Sequence, residues 1–453
     1  MQPDAAHGET SRYRRSAVKL SAALGLAGAL TYVFFGLASH SLSADEYGEI
    51  VVLWTAVFLV AATLFRPIEH LLARSLAERM DTGHDADALR AAAIIQFALC
   101  AVAAVVLLLV RDPIQDNLFS DEPNLFWAML GALVGYSFAY FARGLLAGRG
   151  QFSLYAALLL SEVLLRLTAV VLVAAGVASG TVPVAVGIAL APLAGLIFIP
   201  VGLRRRRPAA TSATDERLVP ELSLGSGGAF TVAVLVMMLS EQVLLNSGAL
   251  FVRAAEGAAA AGFIFNVLMV ARAPVVLFQA VAASLLPHLA RLRARGDEAS
   301  AEAFRHSIST TLMAVAAFAA ATTLGVIAVG PEVMKLAFGG DFDYDRLGLA
   351  IVAVGMGLYL TAVTLNQAVI AQGRALRAAV PWLGSALLFA ALNLWQPLSP
   401  FRSVELGFTL AAGMLAALLY LVYATSPGRA EEPVEPGSGA ELEATLATID
   451  EVG

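Results

Sequence analysis

The chain has 453 residues, of which 59% are hydrophobic and 14% charged, with a formal net charge of −6 and a mean hydropathy of +0.77. So apolar a composition excludes an ordinary soluble domain and leaves no basic surface for nucleic acid. Cys100, the one cysteine, excludes an internal disulfide and reads as a small apolar filler.

A bilayer core about 30 Å thick takes about 20 apolar residues per helix. In chain order the sequence predicts spans at 17–39, 48–68, 90–110, 124–146, 153–175, 181–203, 226–251, 260–290, 307–329, 346–371, 378–398 and 404–425. Arg12, Arg14 and Arg15 precede the first of these. Its apolar run exceeds the roughly 7–15 residues of a signal-peptide core, so it is expected to remain as a helix. The run from 167 to 203 is too long for one crossing and divides at Gly176–Gly180. The span that opens at 260 is long and is expected to project past the membrane.

These spans predict an all-α integral membrane protein of about twelve helices, in two six-helix bundles around a central cavity. The first bundle is expected over 17–203 and the second over 226–425. A short N-terminal segment, 1–16, precedes them, a basic linker, 204–225, joins them, and an acidic tail, 426–453, follows. The linker carries Arg204-Arg205-Arg206-Arg207, read as a topology anchor. Of the 29 Lys and Arg, 22 fall on the side of the N terminus and 5 on the other, counting those at span ends with the nearer side, and Arg166 and Arg272 lie in the interior of spans. This bias predicts that both termini are cytoplasmic. Acidic residues such as Asp45, Glu49, Asp112 and Asp345 mark the opposite loops.

The two halves echo each other. Span 2 opens at Ala44-Asp45-Glu46-Tyr47-Gly48 and span 8 follows Glu256–Gly262, both short turns that reach a glycine, offset by 262 − 48 = 214 residues. Gly148-Arg149 and Gly373-Arg374 link spans 4–5 and 10–11 in the same way. Six crossings return the chain to its starting side, so such repeats run parallel and imply a pseudo-two-fold axis along the membrane normal.

Ionisable groups at membrane depth are costly and mark candidate sites. Arg272 lies about 12 residues into span 8, roughly 18 Å at 1.5 Å per residue. Glu241 in span 7 has a similar depth, beside Gln242 and near Asn246. A Glu241–Arg272 ion pair or a cavity-lining cargo site fits these positions. Glu162 and Arg166 stand i,i+4 on span 5 and are expected to pair. Arg66 and Glu69 flank Pro67 near the inner end of span 2, where the arginine either anchors the helix or meets an anionic head group. Pro67, Pro274 and Pro287 are expected to kink their helices. Asn266, Gln279, Asn366 and Gln367 are suited to sugar hydroxyls or to helix–helix bonds. No Walker loop, metal-ligand spacing or catalytic histidine pair occurs, so no enzyme is expected.

The turn Leu42-Ser43-Ala44-Asp45-Glu46-Tyr47-Gly48 resembles the first hairpin of polysaccharide-export flippases. Ala271-Arg272-Ala273-Pro274, Leu285-Leu286-Pro287-His288-Leu289 and Gly148-Arg149-Gly150-Gln151-Phe152 are similar to other parts of the same group. That group lies within the multidrug/oligosaccharidyl-lipid/polysaccharide (MOP) exporter superfamily. The resemblance implies translocation of a polyprenyl-(pyro)phosphate-linked oligosaccharide by alternating access in a bacterial cytoplasmic membrane. It further implies polysaccharide polymerase or glycosyltransferase partners. It implies no cofactor, with coupling to protons, sodium or the membrane potential. Arg272, Arg66 and Arg166 would then meet the phosphates, balanced by Glu241, Glu69 and Glu162. A cation-coupled multidrug exporter of the superfamily is the near alternative, and a membrane glycan polymerase or ligase the alternative from another class.

Overall fold

A computed structural model describes residues 3–78, 85–120, 122–204, 227–273, 289, 292, 298–340 and 344–425. All regular structure among them is helical. The first half comprises α1 (Pro3–Ser41), α2 (Ala44–Glu78), α3 (Asp85–Leu109), α4 (Arg111–Leu118), α5 (Pro123–Gly148), α6 (Phe152–Ala174), α7 (Thr181–Leu190) and α8 (Ala194–Arg204). The second comprises α9 (Gly227–Asn246), α10 (Gly248–Glu256), α11 (Ala258–Ala273), α12 (Glu298–Phe338), α13 (Arg346–Ala371), α14 (Ala375–Trp395) and α15 (Pro400–Ala424).

Among the described residues ten helices are long and apolar enough to cross a membrane, or eleven if α9 and α10, bent by 46°, count as one span. Of the expected twelfth, 260–290, the described part is α11, too short to cross alone. Pro274, Gln279, Pro287, the linker residues Arg205, Arg206 and Arg207, and the tail from 426 lie outside the described residues.

Three features depart from the sequence reading. Span 7 is broken, because the Ser247 hydroxyl donates back to the Val243 carbonyl at 2.6 Å and Gly248 follows it. A Ser/Gly pair with such back-bonding is a recognised cause of sharp bends. Span 6 divides into α7 and α8 through a 3₁₀ turn, Ala191–Leu193, around Pro192, which cannot donate to the ladder. A short polar helix, α4, occupies what reads as loop, its Arg111 guanidinium lying over the Trp127 ring at 5.4 Å. By contrast, α2 continues through Pro67.

Within the first half α1 packs on α6, α2 on α5, and α5 on α8; within the second α9 packs on α14 and α13 on α15. Span 1 thus meets span 5 as span 7 meets span 11, and span 4 meets span 6 as span 10 meets span 12. That repetition is what a duplicated six-helix unit requires. The outward faces of α3 and α12 expose Val102, Leu109, Leu324 and Leu336, as lipid contact demands. Aromatic side chains fill the interior, with Phe34, Phe35, Tyr47, Tyr136, Phe389 and Phe408 almost wholly buried.

Close packing inside the first half depends on small residues. A Cβ on Gly195 of α8 would stand 2.7 Å from the backbone of Phe138 and Ala139 on α5, whereas one on Gly25 of α1 would meet nothing within 4 Å. Gly195→Ala is therefore expected to cost about 1–3 kcal/mol through overpacking. Gly25→Ala should be neutral or stabilising by up to about 1 kcal/mol. Thermal unfolding of the two purified variants in detergent checks this, the first melting below and the second at or above the parent.

Candidate functional site

The halves meet along a seam that runs from the α1–α2 turn, here called the hairpin end, into the middle of the molecule. At its edge α2 and α11 touch backbone to backbone. Any Cβ on Gly48 would overlap the Ala258 carbonyl, and one on Gly262 would lie 2.9 Å from the Tyr47 ring and 3.3 Å from Gly48 Cα. Gly48 and Gly262 are the two glycines that the internal repeat places in register. Their contact puts them beside the pseudo-two-fold axis. Just inside, the Tyr47 hydroxyl donates to Asn266 Oδ1 at 2.5 Å, both residues fully buried. The Tyr32 hydroxyl donates to the Met269 carbonyl at 2.9 Å, and Phe35 stacks on Phe265 with ring centroids 4.7 Å apart. Arg253 of α10 also reaches the first half, donating to the Leu118 carbonyl at 3.1 Å and to Ser120 Oγ at 2.7 Å. The hairpin end is thus closed.

Deeper along the same interface lies an ion pair between the halves. Arg66 Nη1 on α2 stands 3.8 Å from Glu241 Oε2 on α9, and both side chains stay partly exposed, at 42% and 29%. The Tyr359 hydroxyl of α13 donates to the other oxygen of Glu241 at 2.7 Å. Tyr359 is in turn held edge-on by Trp382 at 6.2 Å, whose indole N–H donates to Asn366 Oδ1 at 3.1 Å.

Of the two readings of Glu241 and Arg272, the ion pair between them does not form. The Arg272 guanidinium donates to the Leu245 carbonyl and, at 3.5 Å, to Asn246 Oδ1. Asn246 Nδ2 donates to Gln242 Oε1 at 2.8 Å. Leu245 is the last residue but one of α9, and the bend at Ser247–Gly248 leaves its carbonyl without the next turn's N–H. A cation from the neighbouring helix fills that gap, as broken helices in a membrane require. Glu241 lies five residues from Asn246, about 140° around the helix, and so faces the first half instead.

The expected Glu162–Arg166 pair is also replaced. Glu162 Oε2 accepts from Arg143 Nη2 of α5 at 2.5 Å, with side chains 3% and 12% exposed. Arg166 donates to the Tyr136 hydroxyl at 2.9 Å and lies over the Trp54 ring at 4.7 Å. Arg143 itself sits 4.8 Å from the Tyr140 ring centroid. Glu69 accepts from the Tyr155 hydroxyl at 2.8 Å and is buried. Neighbours on other helices win over i,i+4 partners because buried charge needs short, well-aligned bonds.

The structure thus gathers the eight sequence candidates into two neighbouring sets. Arg66 and Glu241 meet across the halves, with Gln242, Asn246 and Arg272 at the helix break beside them. Glu69, Glu162 and Arg166 belong to a network inside the first half. The sequence reading misses Arg143, counted there among inner loop charges, and Tyr359, Tyr136 and Tyr155, whose hydroxyls complete the bonds. A tyrosine in the middle of an apolar span, where its O–H must find a partner, is the signal that would have found them. Asn266 serves the helix–helix role. Among the described residues no group of three or more His, Cys, Asp or Glu could hold a metal ion.

Two expectations follow from these contacts. Removing one member of the buried pair, as in Glu162→Ala, should destabilise by about 3–5 kcal/mol, and replacing both Glu162 and Arg143 with Met should recover most of that loss; detergent melting curves read both. At the seam, Gly48→Ala should hold the hairpin end apart. Spin labels on cysteines replacing Asp45 and Glu256, in a Cys100→Ser background, should then show longer distances than the same labels without Gly48→Ala.

No family model matches the chain, and no curated protein does. Solved structures match over 88% to 92% of its length. An inward-facing multidrug resistance MATE family transporter of the MOP superfamily aligns with a TM-score of 0.68 at 13% identity, covering 88% of this chain and 96% of that one. An outward-facing MATE transporter gives 0.61 at 15% identity, over 91% and 97%. A MOP superfamily transporter from Pyrococcus furiosus, described with a binding pocket of reversed polarity that suggests a different function, gives 0.63 at 14% identity, over 91% and 96%. The chain therefore has the two-halved, MATE-like fold of the MOP superfamily transporters.

Proposed function

We propose that the protein is an alternating-access exporter that moves amphipathic organic molecules through the interface between its halves, in the manner of the multidrug transporters it resembles in fold. The observation that carries this reading is the Arg66–Glu241 pair, which joins the halves at membrane depth, stays partly exposed and lies behind a closed hairpin end. Such a pair has to break when the halves rock apart, and its two charges offer themselves to cargo in turn. The basic bias of the N-terminal side supports a cytoplasmic position for the opposite, linker end, so the closed end would face outward. Coupling to protons, sodium or the membrane potential fits a fold without a nucleotide site.

A second reading, flipping of a polyprenyl-linked oligosaccharide together with polymerase or glycosyltransferase partners, has one observation in its favour. Among the described residues the charged groups gathered at depth are four cations, Arg66, Arg143, Arg166 and Arg272, against three anions, Glu69, Glu162 and Glu241. An excess positive charge suits a phosphate. The Tyr47-Gly48 turn that suggested this group is used in the seam, and so speaks for closure and not for cargo.

Deletion of the gene and complementation separate the two. Raised sensitivity to amphipathic drugs with unchanged surface polysaccharide supports export, whereas lost polysaccharide with lipid-linked intermediates held in the inner leaflet supports flipping. Under the export reading, Arg66→Ala and Glu241→Gln should each slow dye efflux from proteoliposomes about tenfold or more, the equivalent of about 1.4 kcal/mol. Efflux at the parent rate in both variants would remove the pair from the transport path.

A further inference from the structure

A cavity of about 320 Å³ opens at the hairpin end of the second half, between the starts of α13 and α15 and the side of α11. Its volume reaches the range of small-molecule sites. Three aromatic side chains line it, Phe263, Tyr344 and Phe401, together with Asp345, Glu405 and Arg402. The Tyr344 and Phe401 rings stand 6.0 Å apart at 47°, an open wedge.

The charges in this wall are fixed. Arg402 donates to Asp345 Oδ2 at 2.7 Å and to Glu405 Oε2 at 2.6 Å, so both ends of its fork are committed. The other oxygen of Glu405 accepts from the Tyr344 hydroxyl, and the residue is fully buried. Burial, followed by the hydrogen bond to Glu405, pushes the Tyr344 phenol well above its ordinary value, so it remains a neutral donor. Two carboxylates against one guanidinium leave one negative charge, and Asp345, half exposed, carries the accessible part of it.

We propose that this cavity is a binding site for a small organic cation, a substituted ammonium held on the aromatic wedge and facing Asp345. Ring faces attract a cation within about 6 Å of their centroids, and quaternary ammonium groups are the usual beneficiaries. An anion would meet the excess negative charge of the Asp345–Arg402–Glu405 set. A neutral sugar would find the hydrogen-bonding atoms of Arg402 and Glu405 already taken. The site is distinct from the Arg66–Glu241 interface and does not depend on what that interface carries.

Saturation-transfer NMR on the purified full-length protein tests it, using choline and its neutral isostere 3,3-dimethylbutan-1-ol as probes. Choline should bind at least about tenfold more tightly than the alcohol. Phe401→Leu, which keeps the apolar volume and removes the ring, should weaken choline about three- to tenfold. Asp345→Asn, which retains the helix cap to Gly348 N, should also weaken it. Arg66→Ala should leave it unchanged. Equal binding of the two probes overturns the proposal, as does loss of choline binding in Arg66→Ala. So does unaltered choline binding in folded Phe401→Leu and Asp345→Asn. Should Phe401→Leu fail to fold, the probe comparison on the parent protein and the Asp345→Asn result decide the matter.

Discussion

For the proposed export, the two helical halves must touch closely enough to seal and loosely enough to part. Here that constraint is met by leaving side chains out. Gly48 and Gly262 bring α2 and α11 into backbone contact, where any Cβ on Gly48 would overlap the Ala258 carbonyl. At the two glycines themselves there is no side chain to unpack, and the interlocking contacts, such as Phe35 with Phe265, lie beside them. What the glycines forgo in apolar burial is offset by a few directed bonds nearby, Tyr47 to Asn266 and Tyr32 to the Met269 carbonyl. Directed bonds break over short distances, which suits a two-position contact better than a deeply interlocked one.

Charge inside the bundles follows a different logic. Glu162 with Arg143, and Arg166 with Tyr136 and Trp54, are enclosed within one half and move with it as a unit. Under the proposed export, rocking of the halves would leave these bonds intact. Arg66 and Glu241 differ in kind, because their carriers belong to different bodies. The distinction between a pair that stiffens and a pair that switches therefore lies in which helices carry the partners, not in depth or burial alone.

The sequence made the apolar spans and the two-fold repeat legible, since both depend on composition and on spacing along the chain. The register of Gly48 with Gly262 was readable for the same reason, although that they touch was not. Partnership among the ionisable groups was far less legible. Pairing by sequence proximity put Glu162 with Arg166 and Glu241 with Arg272, whereas packing of α5 on α6 and of α2 on α9 offered each acid a better-placed arginine. Arg143 was hidden by its position near a helix end, where arginine ordinarily snorkels to the surface. The bend at Ser247–Gly248 was present in the residues but masked by the unbroken hydropathy around it. Once the helix bends, the freed Leu245 carbonyl decides where Arg272 goes.

The closed hairpin end has a consequence for how the protein reads its surroundings. Tyr47, Asn266 and Phe265 are buried together on that side, with the Tyr47 hydroxyl bonded to Asn266. Under the proposed export, cargo and any coupling ion would therefore reach the Arg66–Glu241 pair from the linker end until the seam parts.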